Sequence, residues 1–248
     1  MKKRYFASDF HLGLDKAGSL SSEREKQVVS WLTAAALDAE EIYLLGDIFD
    51  FWWEYREVVP KGFTRFFGAI SSITDSGIPV HFFCGNHDLW ANDYFADECG
   101  MTIHKSPTTF TFDGKKFHIA HGDGLGVKNL GKKFLHTLFN NKALQKIYSL
   151  IPPSIGVAVG QKWSQIASED SPKAYKGEDN EDLIIYAKSI LLKEKIDYFV
   201  FGHRHLAMNY DLTPDCKILF LGDWLTFPNY GVWDGKKLNF VKPPRAHR

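Results

Sequence analysis

The chain of 248 residues is 44% hydrophobic and carries 30 Lys and Arg against 30 Asp and Glu, which excludes a disordered segment and leaves no bulk positive charge to hold a nucleic-acid backbone. Its three cysteines, Cys84, Cys99 and Cys216, lack CxxC spacing and are too few for a disulfide framework, which fits a reducing compartment. No apolar run approaches the ~20 residues that span a bilayer, and MKKRYFASDFHLG reaches Asp9 and His11 before any stretch long enough for a signal peptide, so a cytoplasmic protein is expected.

In chain order, RYFASD reads as a strand, SSEREKQVVSWLTAAALDA as an amphipathic helix opened by serines, and EIYLLGD as a second strand. GFTRFFGAISSITDSG has helical spacing and a terminal glycine, and IPVHFFCGN is a third strand. Right-handed crossovers make strands in this β-α-β-α-β order parallel, with their C-terminal ends on one edge. PTTFTFDGKKFHIAHGD reads as a hairpin turning at Asp113-Gly114. From about Val127 to Asn180 the pattern is helical and irregular, with apolar residues among lysines. Helix DLIIYAKSILLKEK, strands DYFVFGHRH and KILFLGD, and hairpin YGVWDGKKLNFV follow. With no internal repeat or flexible linker, one domain over residues 1–248 is expected, carrying an insertion at about 127–180.

The polar residues at the strand ends form a set: Asp9, His11, Asp47, Asp50, Asn86, His87, Asp88, His121, His203 and His205. Strand alternation is expected to put Asp9 with His11, and His203 with His205, on common faces. Taken singly, each has an ordinary role, a hydrogen-bonded imidazole or a turn-forming aspartate. Taken together they do not, because burying carboxylates and imidazoles unpaired is costly. Such a donor set, without cysteine, suits Mn, Fe, Co, Ni or Zn.

The blocks DFH, GDIFD, GNHD, HGD and GHRH, in this order, resemble the signature of the calcineurin-like metallophosphoesterases. The resemblance implies an α/β fold in which a sandwich of two β-sheets is flanked by helices. It implies two divalent cations, Mn2+ foremost: one held by Asp9, His11 and His205, the other by Asn86, His121 and His203, with Asp47 shared. His87 would stabilise the transition state or act as general acid, with Asp88 holding its ring, and Asn86, His87 and His203 would also meet the substrate.

SDFHLG, GDIFDFWWEY and the insertion are similar to the UDP-2,3-diacylglucosamine diphosphatases of lipid A synthesis. This similarity implies a helical lid, hydrolysis of UDP-2,3-diacylglucosamine to lipid X (2,3-diacylglucosamine 1-phosphate) and UMP, and work at the cytosolic face of the Gram-negative inner membrane. Ser168 and Lys173 would contact substrate. Trp52, Trp53, Phe134, Leu138, Phe139, Ile147, Leu150 and Ile151 would line an acyl chamber or dock on lipid, and Lys132, Lys133, Lys173 and Lys176 would face the diphosphate or anionic lipid. His87 departs from that group, many of whose members carry Arg there. Two alternatives stand beside this reading: a metallophosphoesterase for a soluble phosphodiester, nucleotide or phosphoprotein, and a non-catalytic, metal-stabilised scaffold.

Overall fold

The computed structural model describes residues 2–16, 18–126, 137–139, 141–169 and 174–243, with 165–169 described in backbone only. In chain order the strands are β1 (Lys3–Ala7), β2 (Ala39–Leu45), β3 (Val80–Phe83), β4 (Thr102–His104), β5 (Thr108–Phe112), β6 (Lys115–Ala120), β7 (Tyr198–Phe201), β8 (Ala207–Thr213), β9 (Cys216–Leu221), β10 (Tyr230–Trp233) and β11 (Leu238–Val241). A six-stranded sheet runs β11-β10-β1-β2-β3-β4 and a five-stranded sheet runs β5-β6-β7-β9-β8. The expected parallel pairing of β1, β2 and β3 is present, and β6, β7 and β9 form a second parallel set.

The parallel strands are buried on both faces, which is why they read as nearly unbroken apolar runs. One face of the first sheet presents Tyr5, Ala7, Ile42, Leu44 and Phe82 to the helices Ser21–Ala36 and Thr64–Asp75, where Trp31, Leu32, Phe66 and Ile70 cover them. The alternate residues Phe6, Tyr43, Leu45 and Phe83 meet Phe117, Ile119, Val200 and Leu219 of the second sheet. That sheet's outer face, with Phe199, Phe201, Ile218 and Phe220, packs on Leu183, Ile184 and Ala187 of the helix Asp182–Leu191. The layers therefore run helix, sheet, sheet, helix. Between β6 and this last helix, two helices are described, Lys142–Tyr148 and Pro153–Glu169.

The Asp113-Gly114 turn has positive φ at both residues (49° and 77°), as the tight hairpin turn requires. Asp113 also accepts from Trp233 Nε1 at 2.7 Å and from Arg4 Nη1 at 3.1 Å, tying the hairpin of one sheet to the other sheet. Strands β4 and β8 escape the sequence pattern. Both are sheet edges; β4 has three residues and β8 alternates exposed with half-buried positions, so neither carries an apolar run.

Between β3 and β4, His81 Nδ1 lies 3.0 Å from His104 Nε2, and their rings stack on Tyr43 and Phe83 respectively. Burial lowers both imidazoles, and the neighbouring His81 helps bring His104 to about 4. Unfolded imidazoles take up protons near pH ~6.5, so below that pH the unfolded chain binds more protons and stability falls until the folded pair also titrates. His104→Gln is expected to flatten the fall in urea midpoint between about pH 6.5 and 4.5. An unchanged slope would assign the acid sensitivity to other groups.

Candidate active site

The carboxyl ends of the two parallel sets meet along one edge. β1, β2 and β3 lead into Asp9, Asp47 and Asn86, while β6, β7 and β9 lead into His121, His203 and Asp223. The expected strand alternation of Asp9/His11 and His203/His205 is corrected here, because β1 ends at Ala7 and β7 at Phe201. Asp9, His11, Asp47, His203 and His205 instead have φ of 46° to 63°, and the other described non-glycine residues with positive φ are Phe63 and Asp113. Each such residue costs about 1–3 kcal/mol unless its surroundings impose the conformation.

The surroundings do so by zipping the loops together. Asp9 N–H donates to Gly46 O (3.0 Å), His11 N–H to Asp47 O (2.9 Å), Gly202 N–H to His121 O (2.9 Å) and Trp224 N–H to Asp9 O (3.1 Å). From the first helix, the buried Arg24 guanidinium donates at 2.6 Å to the carbonyls of Phe10, His11 and Leu14. Gly85 must lack a side chain, since a Cβ there would sit 2.5 Å from Asp47 N and closer still to its carboxylate.

Four donors, from Asp9, His11, Asp47 and His205, lie within 4.8 Å of one another, and so do those of Asp47, His121 and His203. Asp9 Oδ1 is 3.3 Å from His205 Nε2, whose own neighbour His11 Nε2 lies at 3.2 Å. His121 Nε2 is 3.3 Å from Asp47 Oδ2. Asp9 Oδ1 and His121 Nε2 are both buried without a hydrogen-bond partner. Unpartnered oxygen and nitrogen lone pairs converging in this way fit a pair of divalent first-row cations that share Asp47. Asn86 is exposed on the same loop, bracketed by Gly85 and by His87, whose N–H donates to Asp47 Oδ1 at 2.9 Å.

His87 is buried, with Nε2 3.9 Å from Asp47 Oδ2. Its ring is not held by Asp88, and that expectation is corrected. The Asp88 carboxylate is taken up by backbone N–H groups of Gly85 (2.7 Å), Ile48 (2.7 Å) and Asp47 (3.2 Å), so it pins the GNHD loop to the GDIFD loop. The His87 ring is held through Nδ1 by Asp50 O (2.8 Å) and Ser164 Oγ (2.6 Å).

Several participants were not anticipated. Asp223 Oδ2 lies 3.3 Å from His205 Nδ1, and Ser8 Oγ donates to Asp9 Oδ2 at 2.5 Å. Asp223 repeats the strand-Gly-Asp pattern of Gly46-Asp47, which is the signal that finds it. Phe134, Lys132, Lys133 and Lys173 lie outside the described residues, as does the side chain of Ser168. Of the expected chamber residues, Trp52 is core, packed on Phe49 and Phe95. Trp53 meets Trp90 edge-on and Tyr148 of the helix Lys142–Tyr148 at a tilt. Phe139 and Ile151 are half-buried, whereas Leu138, Ile147 and Leu150 are exposed, as is Lys176.

Residues 3–207 match the family described as Calcineurin-like phosphoesterase. The chain is 37% identical to a UDP-2,3-diacylglucosamine hydrolase of Porphyromonas gingivalis (strain ATCC BAA-308 / W83), with 95% of each chain covered. It is 28% identical to the protein of that name from Histophilus somni (strain 129Pt), covering 90% of this chain and 93% of the relative. For the Escherichia coli O157:H7 protein of that name the identity is 25%, covering 89% and 90%.

The protonation pattern of the site follows from its geometry. Burial lowers His11, and brings His203 to about 3 with help from His121. Burial also disfavours charge on His121 and His205, but Asp47 outweighs it at His121, as do Asp223 and Asp9 at His205, so both are raised. Asp47 is held well below the usual carboxylate range, its burial outweighed by His121 and His87. With no cation bound, His121 and His205 therefore hold protons more tightly than free imidazoles do, and a cation must compete with those protons. Calorimetric titration of the chelator-stripped protein with Mn2+ at about pH 7, in buffers of different ionisation enthalpy, is expected to report proton release. Heats independent of the buffer would mean that these imidazoles are already neutral.

Proposed function

The chain belongs to the calcineurin-like phosphoesterase family and is a hydrolase, and from that premise we propose that it cleaves the pyrophosphate of UDP-2,3-diacylglucosamine to give UMP and 2,3-diacylglucosamine 1-phosphate. The observation that carries this reading is the near full-length similarity to hydrolases of that name, which extends through the insertion. The geometry supports an amphiphilic substrate. One helix, Pro153–Glu169, reaches the site through Ser164 and bears Ile155, Val159 and Trp163, each 54% exposed, on its outer side.

In this reading Asp9, His11 and His205 hold one cation and Asn86, His121 and His203 the other, with Asp47 common to both. When bound, two such cations, Mn2+ in our reading, would polarise the phosphoryl oxygens and make a water more acidic. The chain's own part is positional. Asp47, clamped by the N–H of His87, fixes the centre of the site. His87 presents Nε2 on the Asp47 side, where the ring, when it carries both protons, can donate a hydrogen bond to a phosphoryl or leaving oxygen. An imidazole there offers one directed donor where many relatives would place a guanidinium fork, so His87 suits proton donation better than anchoring of phosphate. A scaffold without catalysis has no need of this complete donor set.

The exposed Ile147, Leu150, Ile155, Val159 and Trp163, interspersed with exposed Lys146 and Lys162, support peripheral attachment to the anionic cytosolic face of the inner membrane. No described helix is long and apolar enough to cross a membrane.

Purified Mn2+-loaded protein is expected to release UMP and the monophosphate from UDP-2,3-diacylglucosamine, identified by mass, with bis-p-nitrophenyl phosphate assayed in parallel. Asp47→Ala should abolish turnover, and His87→Ala should lower kcat by roughly 10²–10⁴-fold. Turnover of the soluble diester alone would keep the phosphoesterase and overturn the substrate. For membrane attachment, Ile155→Ser, Val159→Ser and Trp163→Ser combined should weaken co-sedimentation with anionic vesicles by at least about tenfold. Unchanged sedimentation would remove this face from the membrane contact.

A further inference from the structure

On the helix Pro153–Glu169, Gly156, Gly160 and Ser164 stand four residues apart and so share one side. A Cβ on Gly156 would collide with Tyr55 Oη, and one on Gly160 with the Phe51 ring. The helix backbone therefore rests directly on the segment after β2, where Phe51, Trp53 and Tyr55 form an aromatic seat. The third position on that side is Ser164, only 5% exposed.

Its hydroxyl donates to Asp50 O at 2.6 Å, and Oγ lies 2.6 Å from His87 Nδ1. The same Nδ1 lies 2.8 Å from Asp50 O. A carbonyl oxygen can only accept, so Asp50 O draws a hydrogen from both partners. With its own hydrogen committed, Ser164 Oγ shares the one Nδ1 hydrogen with Asp50 O, as a second acceptor. Nδ1 must then carry a proton, which leaves Nε2 as the ring atom that faces Asp47.

We propose that Ser164 is a positioning residue for His87: the insertion helix, seated through Gly156 and Gly160, fixes the orientation of the ring that works on the phosphoryl group. The proposal rests on His87 having that role. Its consequence is that seating the helix and completing the catalytic site are one event, because the hydroxyl arrives with the helix.

The test is a cycle of Ser164→Ala, His87→Ala and the double variant, all Mn2+-loaded. Ser164→Ala is expected to lower kcat about tenfold with KM unchanged, and to cost nothing more once His87 is gone. An equal loss in both backgrounds, or no loss at all, would overturn the proposal. A second readout needs no substrate. In the zinc-loaded, diamagnetic protein, the His87 Nδ1 hydrogen should be slow to exchange with solvent, and Ser164→Ala, which leaves the ring held by Asp50 O alone, should speed that exchange about tenfold; an unchanged exchange rate would overturn the proposal. If the lipid nucleotide is not turned over, the cycle is run on bis-p-nitrophenyl phosphate, so failure of the substrate reading and failure of the Ser164 proposal are told apart.

Discussion

An ionised carboxylate at Asp47, almost wholly removed from water, must be compensated from every side, and the loops are arranged to do so. The His87 N–H binds one oxygen and His121 Nε2 approaches the other. Gly85 supplies the clearance for the neighbouring loop. Because the compensating groups come from both sheets, the loops cannot relax independently. Arg24 shows the same constraint one layer out, where a single buried guanidinium fixes three carbonyls of the DFHLGL loop. Left-handed backbone at Asp9, His11, Asp47, His203 and His205 is tolerated because these hydrogen bonds specify it.

Much of this was legible in the sequence, for identifiable reasons. Parallel strands announce themselves as apolar runs, and the residue after each strand end falls on one edge, so Asp9, Asp47, Asn86, His121 and His203 could be grouped without coordinates. The layered two-sheet architecture was implied by the resemblance of the DFH, GDIFD, GNHD, HGD and GHRH blocks to the calcineurin-like family, and not by the strand pattern. What could not be read is backbone conformation past the strand ends. Alternation predicts the right partners for Asp9 and His11 but the wrong geometry, because φ is set by carbonyls of another loop. The role of Asp88 was hidden for a similar reason: a carboxylate beside a histidine suggests ring contact, whereas the two converging loops leave amide N–H groups with greater need of an acceptor. Ser164 lies 77 residues from His87 and carries no motif, so only the seating of its helix reveals it.

The residues expected to line an acyl chamber divide by depth. Trp52 belongs to the core of the first sheet and Trp53 to the seat of the helix, while Leu150 is 80% exposed. Residues adjacent in sequence thus serve different layers. The seat is made of flat rings facing glycines, which allows close approach without interlocking side chains. Such a contact is held by area and not by a hooked shape, and it can separate and re-form with little rearrangement on either side.

The order of strands in the first sheet has a consequence for the newborn chain. β1 is made more than 200 residues before one of its two neighbours, β10. Until residues 230–233 emerge from the ribosome, β1 presents an open edge. Until then, too, the space that Trp233 fills beside Phe117 and Tyr198 stays open to water. Pairings of such long separation form slowly and leave partly folded chains prone to association. The last hairpin therefore acts as a clasp, and a chain released without it would display, at its centre, the sticky strand on which the rest of the sheet is built.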